Sequence, residues 1–219
     1  MFNDRDDAGR QLAEAVAAAA PRAPVVLALP RGGVPVARPV ARRLGAPLDL
    51  LLVRKLGVPG QPELAAGAVV DGAAHEVVFN ADVLRMTGLA EGDFDHAIRD
   101  KLKEIEARRQ SYLQGRAPVD VEGRTAIVVD DGIATGATVR AALKALRRRA
   151  PQAIWLAVPV APREAIAEME PLVDRLICLE VPPMFYAVGA HYARFDQVDD
   201  AEVVAGMRAE AEQSGKEKE

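Results

Sequence analysis

Residues 128–138 read VVDDGIATGAT. An apolar run ends in two adjacent carboxylates, Asp130 and Asp131, and then almost all side-chain bulk disappears. Gly132, Gly136, Ala134 and Ala137 let backbone amides turn inward at no steric cost. The stretch leads past Ile133 into a helical pattern starting near Ala137, and a helix N-terminus favours an anion. Thr135 and Thr138 add hydroxyl donors. These residues suit a phosphate monoester. No Lys follows the glycine and the glycine spacing differs, so this is not a Walker A loop. Carboxylates beside a phosphate would repel it, so Asp130 and Asp131 need another partner: sugar hydroxyls, Mg²⁺, or both. A single strand-end Asp is ordinarily a cap; two in a row before such a cradle point to a site.

Two further strand ends carry unusual chemistry. PRGG (30–33) offers Arg31 as a forked cation, with Gly32 and Gly33 allowing close backbone approach. Alone it could equally be a turn with a solvated arginine. VRKLG (53–57) supplies Arg54 and Lys55, which read either as anion ligands or as charges protecting a strand end. Phe185, Tyr186, Tyr192 and Phe195 are four of the chain's nine aromatic residues and fall within one short segment. Such a cluster suits stacking on a planar base and suits packing of a small irregular subdomain equally well. His75, His96 and His191 lack the spacing of a metal site, and Cys178 in LICLEV reads as a buried strand thiol. The serines, Ser111 and Ser214, lie in no nucleophile elbow, so hydrolase chemistry finds no support.

The elements that must hold these residues alternate between strand and helix. A helix is expected over 5–20, stopped by APRAP. VVLAL (25–29) is an apolar strand followed by helical spacing, and PLDLLLVRKLG reads as a second buried strand. ELAAGAVVDGAAHEVVFN reads as a β-hairpin turning at Asp71–Gly72. Residues 80–114 are helical, with Phe94, Ile98, Leu102 and Ile105 on one stripe and Arg108–Arg109 on a solvated face or a dimer contact. TAIVVDDG, AIWLAVPVAP and VDRLICLEVP are strands separated by helices; 182–200 has no clear period, and a short helix and a solvated tail from about 212 follow. Apolar strands alternating with helices predict a parallel sheet covered on both faces, whose ligands bind outside the strands' carboxyl ends.

Composition bounds the remainder. The 219 residues are half apolar, with a formal net charge of −4, which argues against nucleic acid or an anionic membrane as main partner. The N-terminus starts with acids and an amphipathic helix rather than a basic, then apolar, leader. No apolar run approaches the ~20 residues that span a bilayer. The expectation is one cytoplasmic domain over 1–219, its core at about 22–180.

AIVVDDGIATGAT resembles the phosphoribosyl diphosphate (PRPP) signature of the type I phosphoribosyltransferases. The resemblance implies an α/β fold with a parallel sheet and flanking helices, a flexible β-hairpin loop, and a small C-terminal hood from about 181–200 joined by the N-terminal helix. It also implies transfer of the phosphoribosyl group from PRPP to a nitrogenous base, with release of pyrophosphate. Asp130 and Asp131 would hold the ribose hydroxyls and, directly or through water, Mg²⁺ arriving with PRPP; residues 132–138 would cradle the 5′-phosphate. PRGG matches the family's pyrophosphate loop, with Arg31 and Lys55 assisting departure of pyrophosphate and Arg54 binding it. GVPGQPELAAGAVVDG matches the family's mobile loop. Phe185, Tyr186 and Tyr192 are the candidate acceptor contacts. Hypoxanthine–guanine members carry an Asp at the position of Ala134, so that proton route is absent here. A homodimer is the family's usual assembly. The competing reading is a regulator that keeps the fold and senses PRPP without turnover.

Overall fold

A computed structural model describes residues 1–71 and 76–216, with side chains to 212. Five strands form one fully parallel sheet: β1 (Pro24–Ala28), β2 (Leu48–Leu50), β6 (Thr125–Val129), β7 (Ala153–Val160) and β8 (Arg175–Glu180), in the order β2-β1-β6-β7-β8. Their continuous apolar runs follow from burial on both faces. Val26, Ala28, Ile127, Val129 and Trp155 point to one face, which is covered by α1 (Arg5–Ala18), α2 (Gly33–Leu44), α4 (Asp95–Leu113) and α7 (Asp200–Lys216). Val25, Leu27, Ala126, Val128 and Leu156 point to the other, under α5 (Ala137–Arg147) and α6 (Arg163–Met169). The sheet therefore has the predicted α/β architecture.

α1 starts where the side chain of Asp4 accepts a hydrogen bond from the Asp7 amide at 2.9 Å, with Asp6 and Asp7 in the positive first turn. Its apolar stripe, Leu12, Ala13 and Val16, packs into the main core. The residues before it and its first turn join the segment after β8: Phe2 pairs with Tyr192, the Arg194 amide donates to the Asn3 carbonyl at 2.9 Å, and Arg5 reaches the Asp196 carbonyl. α7 continues to Lys216, past the point at about 212 where the sequence suggests a tail.

The run PLDLLLVRKLG is not one strand. β2 ends at Leu50, the buried pair Leu51–Leu52 turns the chain away, and β3 (Val53–Val58) opens a separate antiparallel sheet with β4 (Gln61–Val70) and β5 (Glu76–Phe79). The turn is fixed by Asp71, whose carboxylate accepts the Leu52 amide at 2.9 Å. The expected hairpin exists as β4–β5, with Gly72–His75 outside the described residues, and the predicted mobile loop is built as the paired strands β3 and β4.

One charge on α4 departs from expectation. Arg109 is not solvated: it donates to Asp49 at 2.8 and 3.0 Å and to Asp71 at 2.6 Å, two acids that are both buried. The hydrophobic period places Ile105 and Tyr112 against the core, and Arg109 lies between them on the same side. Burial of both acids is tolerable because every carboxylate oxygen is hydrogen-bonded and one guanidinium serves the pair, while burial still pushes the Asp71 carboxyl above its usual range. Arg108 behaves as its exposed position suggests, with Nη1 donating to the Tyr112 hydroxyl at 3.1 Å.

Candidate functional site

Because β1 and β6 are neighbours, the PRGG and DDGIATGAT loops leave the sheet side by side. The Leu29 amide extends the ladder to the Val129 carbonyl at 2.9 Å, and the Pro30–Arg31 peptide is cis. Gly32 then lies against the second acid: a Cβ there would sit 2.0 Å from Asp131 Oδ2. A Cβ on Gly33 would come within 2.7 Å of the Val129 carbonyl. The double glycine is thus demanded by the close approach of the two loops.

The acid pair is held by few bonds. Asp130 Oδ1 accepts the Asp131 amide at 2.8 Å, and Asp131 Oδ2 accepts from Arg5 Nε at 2.7 Å. Burial, reinforced by the neighbouring charge of Asp131, pushes the Asp130 carboxyl well above the usual carboxylate range. Arg5 is itself well covered: Nη1 donates to the Asp196 carbonyl at 2.6 Å and its guanidinium lies 3.7 Å over the Phe195 ring. The Tyr192 hydroxyl donates to the Asp131 carbonyl at 2.5 Å, and burial pushes its ionisation upward, so it remains a donor. Sequence reasoning missed Arg5. It stands 126 residues from Asp131 in an ordinary acid-rich helix start, and no local spacing signals the pairing.

Beyond the acids, the Ile133 side chain is buried and its amide is committed to the Val160 carbonyl at 3.0 Å. Among the described residues, no acceptor in the chain meets the amides of residues 134–139; the next donor is Arg140, to Gly136 at 2.8 Å. Gly136 caps α5 with φ +69°, a conformation that favours glycine. Ala134, Thr135, Ala137 and Thr138 are exposed. The result is an open row of donors at a helix N-terminus, suited to a dianionic group.

The basic residues do not converge as a pair. On a strand, successive side chains face opposite ways. Arg54 therefore turns toward α4, 3.5 Å from Glu104, on the side where Arg31 stands 3.5 Å from Asp200. Burial and Arg108 lower its pKa. Lys55 turns toward α5: it lies 3.3 Å from Glu63 and lines a cavity of about 470 Å³ with Ala137, Thr138 and Arg140. The sequence places Arg54 and Lys55 together at the end of the second core strand; here they lie on β3, in the separate antiparallel sheet, and face opposite ways.

The aromatic segment also divides. Tyr192 is 5% exposed, packed between Phe2 and Phe195, so its ring is closed to a planar ligand. Phe185 stacks on His191 with ring centroids 5.6 Å apart, and Tyr186 is 84% exposed. Cys178 is half-buried, and burial pushes its thiol up to about 11, which disfavours the thiolate at neutral pH. His96 is exposed on α4 beside Asp100. Among the described residues, no cluster of three or more metal-ligating side chains forms, and no helix is long and apolar enough to cross a membrane.

A family model described as the phosphoribosyl transferase domain matches residues 5–192. The chain belongs to the phosphoribosyl transferase family. Two curated relatives from Mycobacterium tuberculosis, strains CDC 1551 / Oshkosh and ATCC 25618 / H37Rv, share 48% identity over 205 residues and are each named "putative phosphoribosyl transferase". The match covers 94% of this chain and 46% of each relative, so the chain spans about half the length of the curated relatives it matches. A crystal structure of a protein from Thermus thermophilus is 42% identical, with a TM-score of 0.82, covering 94% of this chain and 97% of that one. The phosphoribosyl transferase match includes the PRGG and DDGIATGAT loops, strand β3, Arg5 and Tyr192.

Proposed function

We propose that this phosphoribosyl transferase moves the 5-phosphoribosyl group of PRPP to a nitrogenous acceptor. The bond from C1 to the pyrophosphate oxygen breaks, a bond from C1 to the acceptor nitrogen forms, and the acceptor loses a proton. The observation that carries this reading is the seating of PRGG against the acid pair, immediately before an open row of amides on α5. Ribose hydroxyls go to Asp130 and Asp131. The 5′-phosphate goes to the amides of 134–138 with Thr135 and Thr138. Arg31 and the Gly32–Gly33 backbone face the pyrophosphate.

Such a reaction needs no covalent nucleophile. Its barrier falls when the donor is fixed, the departing pyrophosphate is neutralised and water is kept from C1. Arg31 and Arg54 share the side of the site near α7, so both suit the leaving group. Lys55, on the α5 side beside Thr138, is better suited to the 5′-phosphate end of the donor than to the leaving group. Hard carboxylate oxygens suit Mg²⁺, and Asp130 and Asp131 would hold it together with PRPP oxygens and water. Bound there, Mg²⁺ would offset the charge of the pyrophosphate. Phe185 and Tyr186 are the aromatic groups left for the acceptor.

The test is release of pyrophosphate from Mg·PRPP with a panel of purine and pyrimidine bases. Release with at least one base is expected, and Asp130→Asn and Asp131→Asn should abolish it without loss of fold. Tight PRPP binding with no release for any acceptor would instead assign the chain to sensing. Wild-type kinetics in both variants would remove the ribose role.

A further inference from the structure

We propose that Arg5 is a positioning residue of the donor site: by holding one oxygen of Asp131, it makes the acid pair present one free oxygen from each carboxylate to the two ribose hydroxyls. The inference rests on the donor reading above and names a residue outside the motif that the site needs.

Four carboxylate oxygens stand at the end of β6, and two of them are spoken for. Asp130 Oδ1 accepts the Asp131 amide, and Asp131 Oδ2 accepts Arg5 Nε. Among the described residues, no amide, hydroxyl or cationic donor meets Asp130 Oδ2 or Asp131 Oδ1, although the two carboxyl groups lie within hydrogen-bonding reach of each other. A vicinal diol offers two hydroxyl donors, and two open acceptors from adjacent residues match it. Arg5 is the cation that meets the Asp131 carboxylate among the described residues, so its removal takes away the bond that selects this rotamer.

Arg5 is built to act as an anchor rather than as a mobile surface charge. Its side chain is 12% exposed and that of Asp131 15%. Its fork is used twice, on the Asp131 carboxylate and on the Asp196 carbonyl, and its plane is covered by Phe195. Phe195 in turn packs on Tyr192, whose hydroxyl holds the Asp131 carbonyl. The carboxylate and the backbone of Asp131 are thus fixed from two directions by one cluster. That cluster contains the first residues of the chain and the segment after β8. A planar guanidinium that stacks and forks cannot be replaced fully by an ammonium, but an ammonium restores the charge.

The experiment compares wild type, Arg5→Met and Arg5→Lys by titration calorimetry with two probes, Mg·PRPP and metal-free pyrophosphate. Pyrophosphate lacks the ribose and, without Mg²⁺, asks nothing of the acid pair, so its binding does not depend on the diol acceptors. The expected result is a loss of about tenfold or more in PRPP affinity for Arg5→Met, pyrophosphate affinity within about twofold of wild type, and substantial rescue of PRPP affinity by Arg5→Lys. Equal PRPP affinity in wild type and Arg5→Met overturns the inference. So does a parallel loss for both probes, which is the mark of a merely structural role, checked by thermal melting of each variant. If wild type itself binds no Mg·PRPP, the donor reading fails and this inference with it.

Discussion

The molecule contains two pairs of aspartates, each matched to one arginine distant in sequence, and the two pairs are finished differently. Asp49 and Asp71 share Arg109, and all four of their oxygens accept a hydrogen bond from the Leu50, Leu52 or Val119 amide or from the guanidinium. Of the second pair only Asp131 meets Arg5, with a single bond, and one oxygen of each acid takes no amide, hydroxyl or cationic donor among the described residues. The first pair ties the end of β2, α4 and the base of the hairpin sheet into one frame. The second sits where ligands of parallel sheets bind. Charge and residue type are alike in both; what separates frame from site is the unspent hydrogen-bonding capacity.

The largest expected effect tests the frame. Arg109→Met leaves two buried carboxylates without their counter-ion, a change worth about 3–5 kcal/mol. The melting temperature should fall by on the order of 10 °C, read by calorimetry. A fall of under about 2 °C would mean that the pair is not buried in solution.

Next comes the seam between the PRGG and DDGIATGAT loops. Gly32→Ala puts a methyl group where Asp131 Oδ2 lies, so the acid or the PRGG loop must move. Overpacking of this kind costs about 1–3 kcal/mol, and Mg·PRPP affinity should drop by roughly tenfold or more. Retained affinity would show that the loop accommodates the methyl group and that the close approach is dispensable.

A subtler contrast is in pH. The Asp130 carboxyl is raised in the fold, so its stabilising contribution is full below the ordinary carboxylate pKa and is lost as pH rises through the raised value. Asp130→Asn removes that dependence. The variant should therefore gain stability over wild type on going from acid to neutral pH, as followed by melting temperature. A constant difference across pH would contradict the cause assigned to the shift. Smallest of all, Tyr186→Ala should change stability by less than about 0.5 kcal/mol, since the ring is exposed. It should affect only the acceptor's KM.

The sequence made the second acid pair legible and the first invisible. Asp130 and Asp131 are adjacent, follow a buried strand and precede a bulk-free loop, so chemistry and spacing coincide within thirteen residues. Asp49, Asp71 and Arg109 lie on three separate elements and meet only through tertiary packing, so Arg109 reads locally as one more charge on a polar helix. Arg5 escapes for the same reason. The core strands were readable because burial on both faces imposes continuous apolar runs. The split of PLDLLLVRKLG was not, because two fully buried leucines at a turn look the same as two in a strand. Tyr192 and Tyr186 share a residue type and a segment, yet one is packed and the other exposed. That difference comes from the N-terminal residues folding back on one of them, which no local pattern encodes.

If the open oxygens of the second acid pair receive a phosphoribosyl donor, titration calorimetry of Mg·PRPP against wild type and Asp130→Asn will show it. One donor bound per chain, weakened about a hundredfold or more by the substitution with the fold retained, is the predicted result. No binding to wild type, or equal binding to both proteins, would contradict it.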